Sequence, residues 1–155
     1  MCLGLVVHVR LPYPSLGPQE APALVVEPVS TGGPLLLSSI YDLALGLAFF
    51  FLYQPLFDWL GMEAPPHVAW VHLPAVFVFV QGLGYGLVWG DPLGNLGIVR
   101  VGIVYKFSYT ALSAYYLLTD QIPAIFFAWF GLFDFLFFIG FVWFLRWAGR
   151  RMTSS

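Results

Sequence analysis

The stretch LGIVRVGIVYKFSYTALSAYYLL, residues 96–118, is long enough to cross a bilayer, yet it carries Lys106 at its centre and Arg100 near one end. A charge at the middle of a hydrocarbon span costs ~2.5–3.5 kcal/mol on insertion scales, so such a residue faces the protein interior and pairs. Three further apolar stretches, residues 35–57, 68–89 and 124–145, are the sources of partners.

Each stretch is roughly 22 residues long, which matches the ~20 residues that a ~30 Å hydrocarbon core requires of a helix. The strands of a membrane β-barrel would be about half that length and would alternate in polarity, and these stretches do not alternate. The chain is 60% hydrophobic and only 9% charged, against about 25% charged in an ordinary soluble domain, so a soluble fold of this size would have no polar shell. The expected fold is all-α: an integral membrane four-helix bundle, up-down-up-down, over residues 35–147. Short turns at 90–95 and 119–123 and a connection at 58–67 make sequential helices antiparallel neighbours.

Residues 1–34 differ from the rest. Pro12, Pro14, Pro18, Pro22, Pro28 and Pro34 exclude a continuous helix, since each removes an amide donor and biases its predecessor away from helical angles. This segment is expected to be an irregular arm, either a flexible leader or an extended piece lying on a partner. Residues 148–155 form a basic, polar tail. The single cysteine, Cys2, excludes an intrachain disulfide, and no cluster of cysteines and histidines has metal-ligand spacing.

Arg10, Arg100, Arg146, Arg150 and Arg151 collect on one side of this topology, and the connections on the other side have no Lys or Arg. The positive-inside tendency then puts both termini in the cytoplasm, with Trp59 and Trp70 at the outer interface and Trp89 and Trp147 at the inner one.

Counting at 1.5 Å per residue from the cytoplasmic end puts Asp42 at about 10 Å, Gln81 at about 12 Å, Lys106 at about 15 Å and Asp134 at about 18 Å. Every span thus contributes one strongly polar side chain to a common layer. Lys106 with Asp134 is the expected ion pair, Asp42 pairs with Lys106 or Arg100, and Tyr85 or Tyr109 can donate to the network. Arg100 is shallow enough to snorkel. Such a layer either fixes helix register or handles protons, anions or a polar head group.

Gly82, Gly86 and Gly90 recur at four-residue spacing, the small-xxx-small pattern that lets helix backbones approach. His72 near the outer end of the second span is a weak candidate for a single pigment or haem ligand; no second histidine lies at comparable depth, which excludes bis-His haem. The phenylalanines of the fourth span cover every face, so some point to lipid or to a partner protein. No nucleophile–base arrangement, phosphate loop or nucleic-acid surface is present.

Tyr41-Asp42 opening the first span, Gly82-x-Gly84-Tyr85 in the second, Asp91-Pro92 with Asn95 in the turn, Gly102-x-x-x-Lys106 in the third and Asp134 in the fourth form a pattern. It resembles that of small four-helix bacterial membrane proteins of the broad DoxX-like type, over roughly residues 35–147. That resemblance implies a bacterial inner-membrane location. The named type is linked to quinone-coupled sulfur oxidation, and no residue here carries that chemistry over. The long Pro-rich start departs from the pattern.

Three functions are expected in order. The first is a non-catalytic accessory subunit of a larger redox, respiratory or photosynthetic membrane complex, contacted through the 1–34 arm and the aromatic fourth span. The second is a small transporter handling protons or a polar solute at the Asp/Lys layer. The third is a membrane enzyme acting on a lipophilic substrate through a lateral cleft beside Asp134. No cofactor is predicted; bound lipids are expected, and a pigment or quinone is the weaker alternative.

Overall fold

The computed structural model describes residues 32–152. Most of the expected arm and the last three residues of the tail therefore lie outside the described residues. Within them every regular element is helical: α1 Gly33–Phe51, α2 Tyr53–Leu60, α3 Ala69–Gly90, α4 Leu96–Leu118, α5 Ala124–Phe126, a π-helical turn Phe127–Gly131, and α6 Leu132–Met152. Gly33–Phe51, Ala69–Gly90 and the continuous rod Ala124–Met152 are long and apolar enough to cross a membrane. The described residues are thus all-helical, and three of their helices have the length and composition of membrane spans. α4 is as long, but its charges and tyrosines lower its hydropathy.

The first apolar stretch is two helices rather than one. Pro55 cannot donate to the carbonyl of Phe51, and its ring would clash there in a continuous helix. The chain leaves helical geometry at Leu52 (φ −123°, ψ 25°), and Pro55 falls in the first turn of α2, where a missing donor is harmless. α2 ends at Gly61, whose φ of 68° lets its N–H reach Asp58 while that of Met62 reaches Phe57 at 3.0 Å. Asp120, at φ 55°, closes α4 in the same manner, with the Gln121 N–H bonded to Tyr116 at 2.9 Å. At the opposite end Asp91 organises the α3–α4 turn, accepting from the Gly94 N–H at 3.1 Å. The basic segment from residue 148 is not a separate tail, because α6 continues through it to Met152.

α1 and α3 pack closest, and antiparallel. A Cβ on Gly46 would lie 2.8 Å from the Ala75 carbonyl, and one on Gly82 would lie 2.8 Å from the Leu43 backbone nitrogen. Both positions therefore need glycine for the backbones to meet. The Ser39 hydroxyl donates to the Gly82 carbonyl at 2.7 Å across the same contact. Of the expected trio, Gly82 makes the close approach and Gly86 faces the Ser39 hydroxyl, whereas Gly90 opens on empty space. Gly46 is the second half of the contact.

α4 packs antiparallel on the rod of α5, the π turn and α6. The molecule is packed differently at its two ends. Leu35, Tyr85, Val88, Val99, Phe141 and Phe144 form a closed core at the end holding the start of α1 and the finish of α6. A cavity occupies the other end.

Candidate functional site

Lys106 is 1% exposed, Asp42 1% and Asp134 4%. The Lys106 ammonium donates to both oxygens of Asp42 at 2.8 and 2.9 Å and to Oδ1 of Asp134 at 2.7 Å. Three donors on one ammonium are thereby used on three helices' worth of structure: α1, α4 and α6. Aromatic rings complete the enclosure. Tyr41, Tyr85, Tyr105 and Phe137 have their centroids 5.4 to 5.8 Å from the nitrogen. Ring faces carry negative quadrupole, so they suit an ammonium that water cannot reach.

Helical spacing explains which residues arrive. The buried positions of α4 are Val99, Gly102, Lys106 and Ser113, and those of α3 are Val71, Ala75, Gly82, Tyr85 and Val88. Gln81 and Arg100 each lie one residue off these stripes, about 100° around the helix. Gln81 is half-buried with no hydrogen bond, Arg100 is exposed, and neither joins the layer. Tyr85 represents α3 instead. Its ring lies under the ammonium and edge-on to Phe141 at 4.8 Å, in space that Gly102 leaves free. Its buried hydroxyl has no hydrogen-bond partner.

The π turn ends at Gly131, less than one helical turn before Asp134. A widened turn leaves carbonyls without their usual helical donors, and such turns occur often at functional sites. Here side chains from two other helices supply the donors. The Tyr41 hydroxyl donates to the Trp129 carbonyl at 2.8 Å, and the Thr110 hydroxyl donates to that of Gly131 at 3.2 Å. The turn is therefore pinned to α1 and α4, and so is the approach angle of Asp134. Neither the turn nor its two clamps leaves a mark in the hydropathy pattern.

The cavity encloses about 340 Å³. Its outer walls are Phe57, Pro65, Trp70 and Pro74, and Leu45, Phe49, Val78 and Phe130 line its middle. Its inner end is polar, made by Tyr41, Asp42, Tyr105, Tyr109 and Asp134. Lys106 does not line it. The cavity meets the carboxylate side of the ion cluster, with the ammonium behind. Oδ2 of Asp134 accepts no hydrogen bond, and the hydroxyls of Tyr105 and Tyr109 make none; Tyr109 lies beside Tyr105, with ring centroids 6.2 Å apart.

His72 lies away from this layer. Its ring stacks on Phe50 at 4.4 Å and meets Tyr53 edge-on at 5.7 Å, and its Nε2 is buried without a partner. Among the described residues no group of three or more potential metal ligands occurs.

No protein-family model, no curated protein and no solved structure matches this chain. The residues of the cavity and the ion cluster therefore carry the functional argument by themselves.

Proposed function

We propose that this chain is a membrane-embedded protein that binds a small lipophilic molecule with a polar end. The observation that supports this most is the cavity of about 340 Å³, apolar along its walls and ending on Asp42 and Asp134. Ligand sites are typically concave, mostly apolar and furnished with a few convergent polar groups, and this one lies within the usual size range. Exposed Trp70 and Phe77 stand at its α3 side, where lipid would lie, so a molecule dissolved in the bilayer can enter sideways. Transport of such a molecule, or chemistry on it, would start from the same bound state.

In this reading the four long helices cross the membrane up-down-up-down as one bundle. Both termini lie in the cytoplasm, because Arg100, Arg146, Arg150 and Arg151 gather at that end. A reporter fused after Ser155 that is active only in the cytoplasm would agree; a reporter active only outside would overturn the orientation.

The test of binding is extraction and mass spectrometry of small lipophilic molecules that purify with the protein in mild detergent. The comparison is Val78→Trp, which places an indole in the cavity. The wild type should carry such a molecule and the variant should not, at equal helicity. Equal amounts in both would contradict the assignment.

An accessory role in a larger assembly ranks second. It draws on the exposed aromatic residues of the rod Ala124–Met152, including Trp129 of the π turn and Phe135 and Trp143 of α6. A lipid environment alone also calls for such a face.

A further inference from the structure

The cavity and the ion cluster together limit the charge of what can bind. Resting on the reading above, the geometry points to a protonated amine as the polar end of the ligand.

The layer holds two carboxylates, Asp42 and Asp134, against one ammonium, Lys106. It therefore has one negative charge in surplus. A charge in a low-dielectric site is costly unless it is paired, so the surplus is covered by a cation or by a proton on one carboxyl. Position favours the cation. Lys106 is screened from the cavity by the two acids, so an entering group meets carboxylates first. Oδ2 of Asp134 is the unused acceptor there, on a residue only 4% exposed. An anion would face the same carboxylates and be repelled.

The walls agree. Rings of Tyr41, Tyr105 and Tyr109 border the inner end of the cavity, those of Phe49 and Phe130 its middle, and aromatic faces stabilise ammonium groups that have lost their water. The same layer already holds one ammonium, that of Lys106, against four rings and two carboxylates. A second ammonium at Asp134 would repeat this chemistry one step further out.

The end of the molecule beyond the outer walls of the cavity adds a long-range contribution. Asp58, Glu63 and Asp120 are exposed there, and among the described residues that end has no Lys or Arg. A surface carrying one sign of charge concentrates the opposite ion around it.

The experiment uses the full chain in lipid nanodiscs and three probes of nearly equal size: phenylbutylamine, phenylbutanol and phenylbutyrate. Binding is read by calorimetry or by displacement of bound amine. The amine should bind at least ten-fold more tightly than the alcohol, and the acid more weakly than both. Asp134→Asn leaves a balanced Asp42–Lys106 pair and should reduce the amine-to-alcohol ratio to near one while the alcohol still binds. Equal binding of amine and alcohol by the wild type would overturn the inference and assign the surplus charge to a proton, with the lipophilic site intact. Tighter binding of the acid would also overturn it. Failure of all three probes, together with no co-purifying molecule, would overturn the binding site itself.

Discussion

Lys106 on α4 grips Asp42 on α1 through both carboxylate oxygens, at 2.8 and 2.9 Å, across 64 residues of chain. This bond and its counterpart to Asp134 join the two closely packed helix pairs, α1 with α3 and α4 with α6, at one depth. Below that depth the core is closed; above it the cavity opens. The ion cluster is at once the floor of the site and the clasp of the bundle.

Removing the clasp from one side exposes its cost. Lys106→Met leaves two buried carboxylates facing each other without a cation, which should destabilise by about 3–5 kcal/mol. The triple change Asp42→Asn, Lys106→Met, Asp134→Asn removes every charge and should be markedly less destabilised than the single variant. Thermal unfolding in detergent checks the order. If the triple variant is as unstable as Lys106→Met, unpaired charge is not what sets the loss.

The contact between α1 and α3 is specified by glycine. Gly82→Ala puts a methyl 2.8 Å from the Leu43 backbone nitrogen, an overpacking expected to cost about 1–3 kcal/mol. Gly90→Ala meets nothing within 4 Å and should leave stability within about 1 kcal/mol of wild type. Comparing the melting temperatures of the two variants tests whether close approach, rather than the four-residue spacing, is what matters.

Tyr85 makes an unusual forecast. Its hydroxyl is buried without a partner, and a buried polar group left unsatisfied carries a penalty of about 1–3 kcal/mol. Tyr85→Phe keeps the ring beside Lys106 and Phe141 and should be neutral or stabilising. A clear loss of stability would mean that the hydroxyl has a partner in the membrane-bound protein.

The π turn before Asp134 depends on two donors from other helices. Tyr41→Phe and Thr110→Val should each speed amide exchange across residues 127–134, since a turn that loses a clamp is less stable and opens to water more often. The double variant should exceed the sum of the singles, because both hold one turn. Unchanged exchange in both single variants would show that the turn stands without its clamps.

The sequence was informative about depth and poor about direction. The rise of a helix is regular, so counting residues puts Asp42, Lys106 and Asp134 at one level, and in the structure they meet. Gln81 satisfies the same count but points elsewhere. Its helix is apolar all round, so hydropathy does not reveal which stripe faces inward, and an error of one residue turns a side chain by about 100°. Arg100, expected to pair with Asp42 or to snorkel, is exposed, and Asp42 is held by Lys106 instead. The break at Leu52 could be read from Pro55, since a proline in the first turn of a helix is harmless but one deep in a continuous span is not. The π turn and the cavity could not. Both depend on how Tyr41, Thr110 and the large rings of four helices fit together, and no local pattern encodes that.

The most direct test of the central claim is photolabelling of the purified chain in nanodiscs with a diazirine-bearing lipophilic amine, followed by mapping of the labelled residues. The account predicts saturable labelling of cavity residues such as Phe49, Val78 and Phe130, suppressed by excess phenylbutylamine and absent from Val78→Trp. Labelling confined to exposed apolar positions on the outside of the bundle, such as Leu83 and Leu136, with no saturation and no competition, would contradict it.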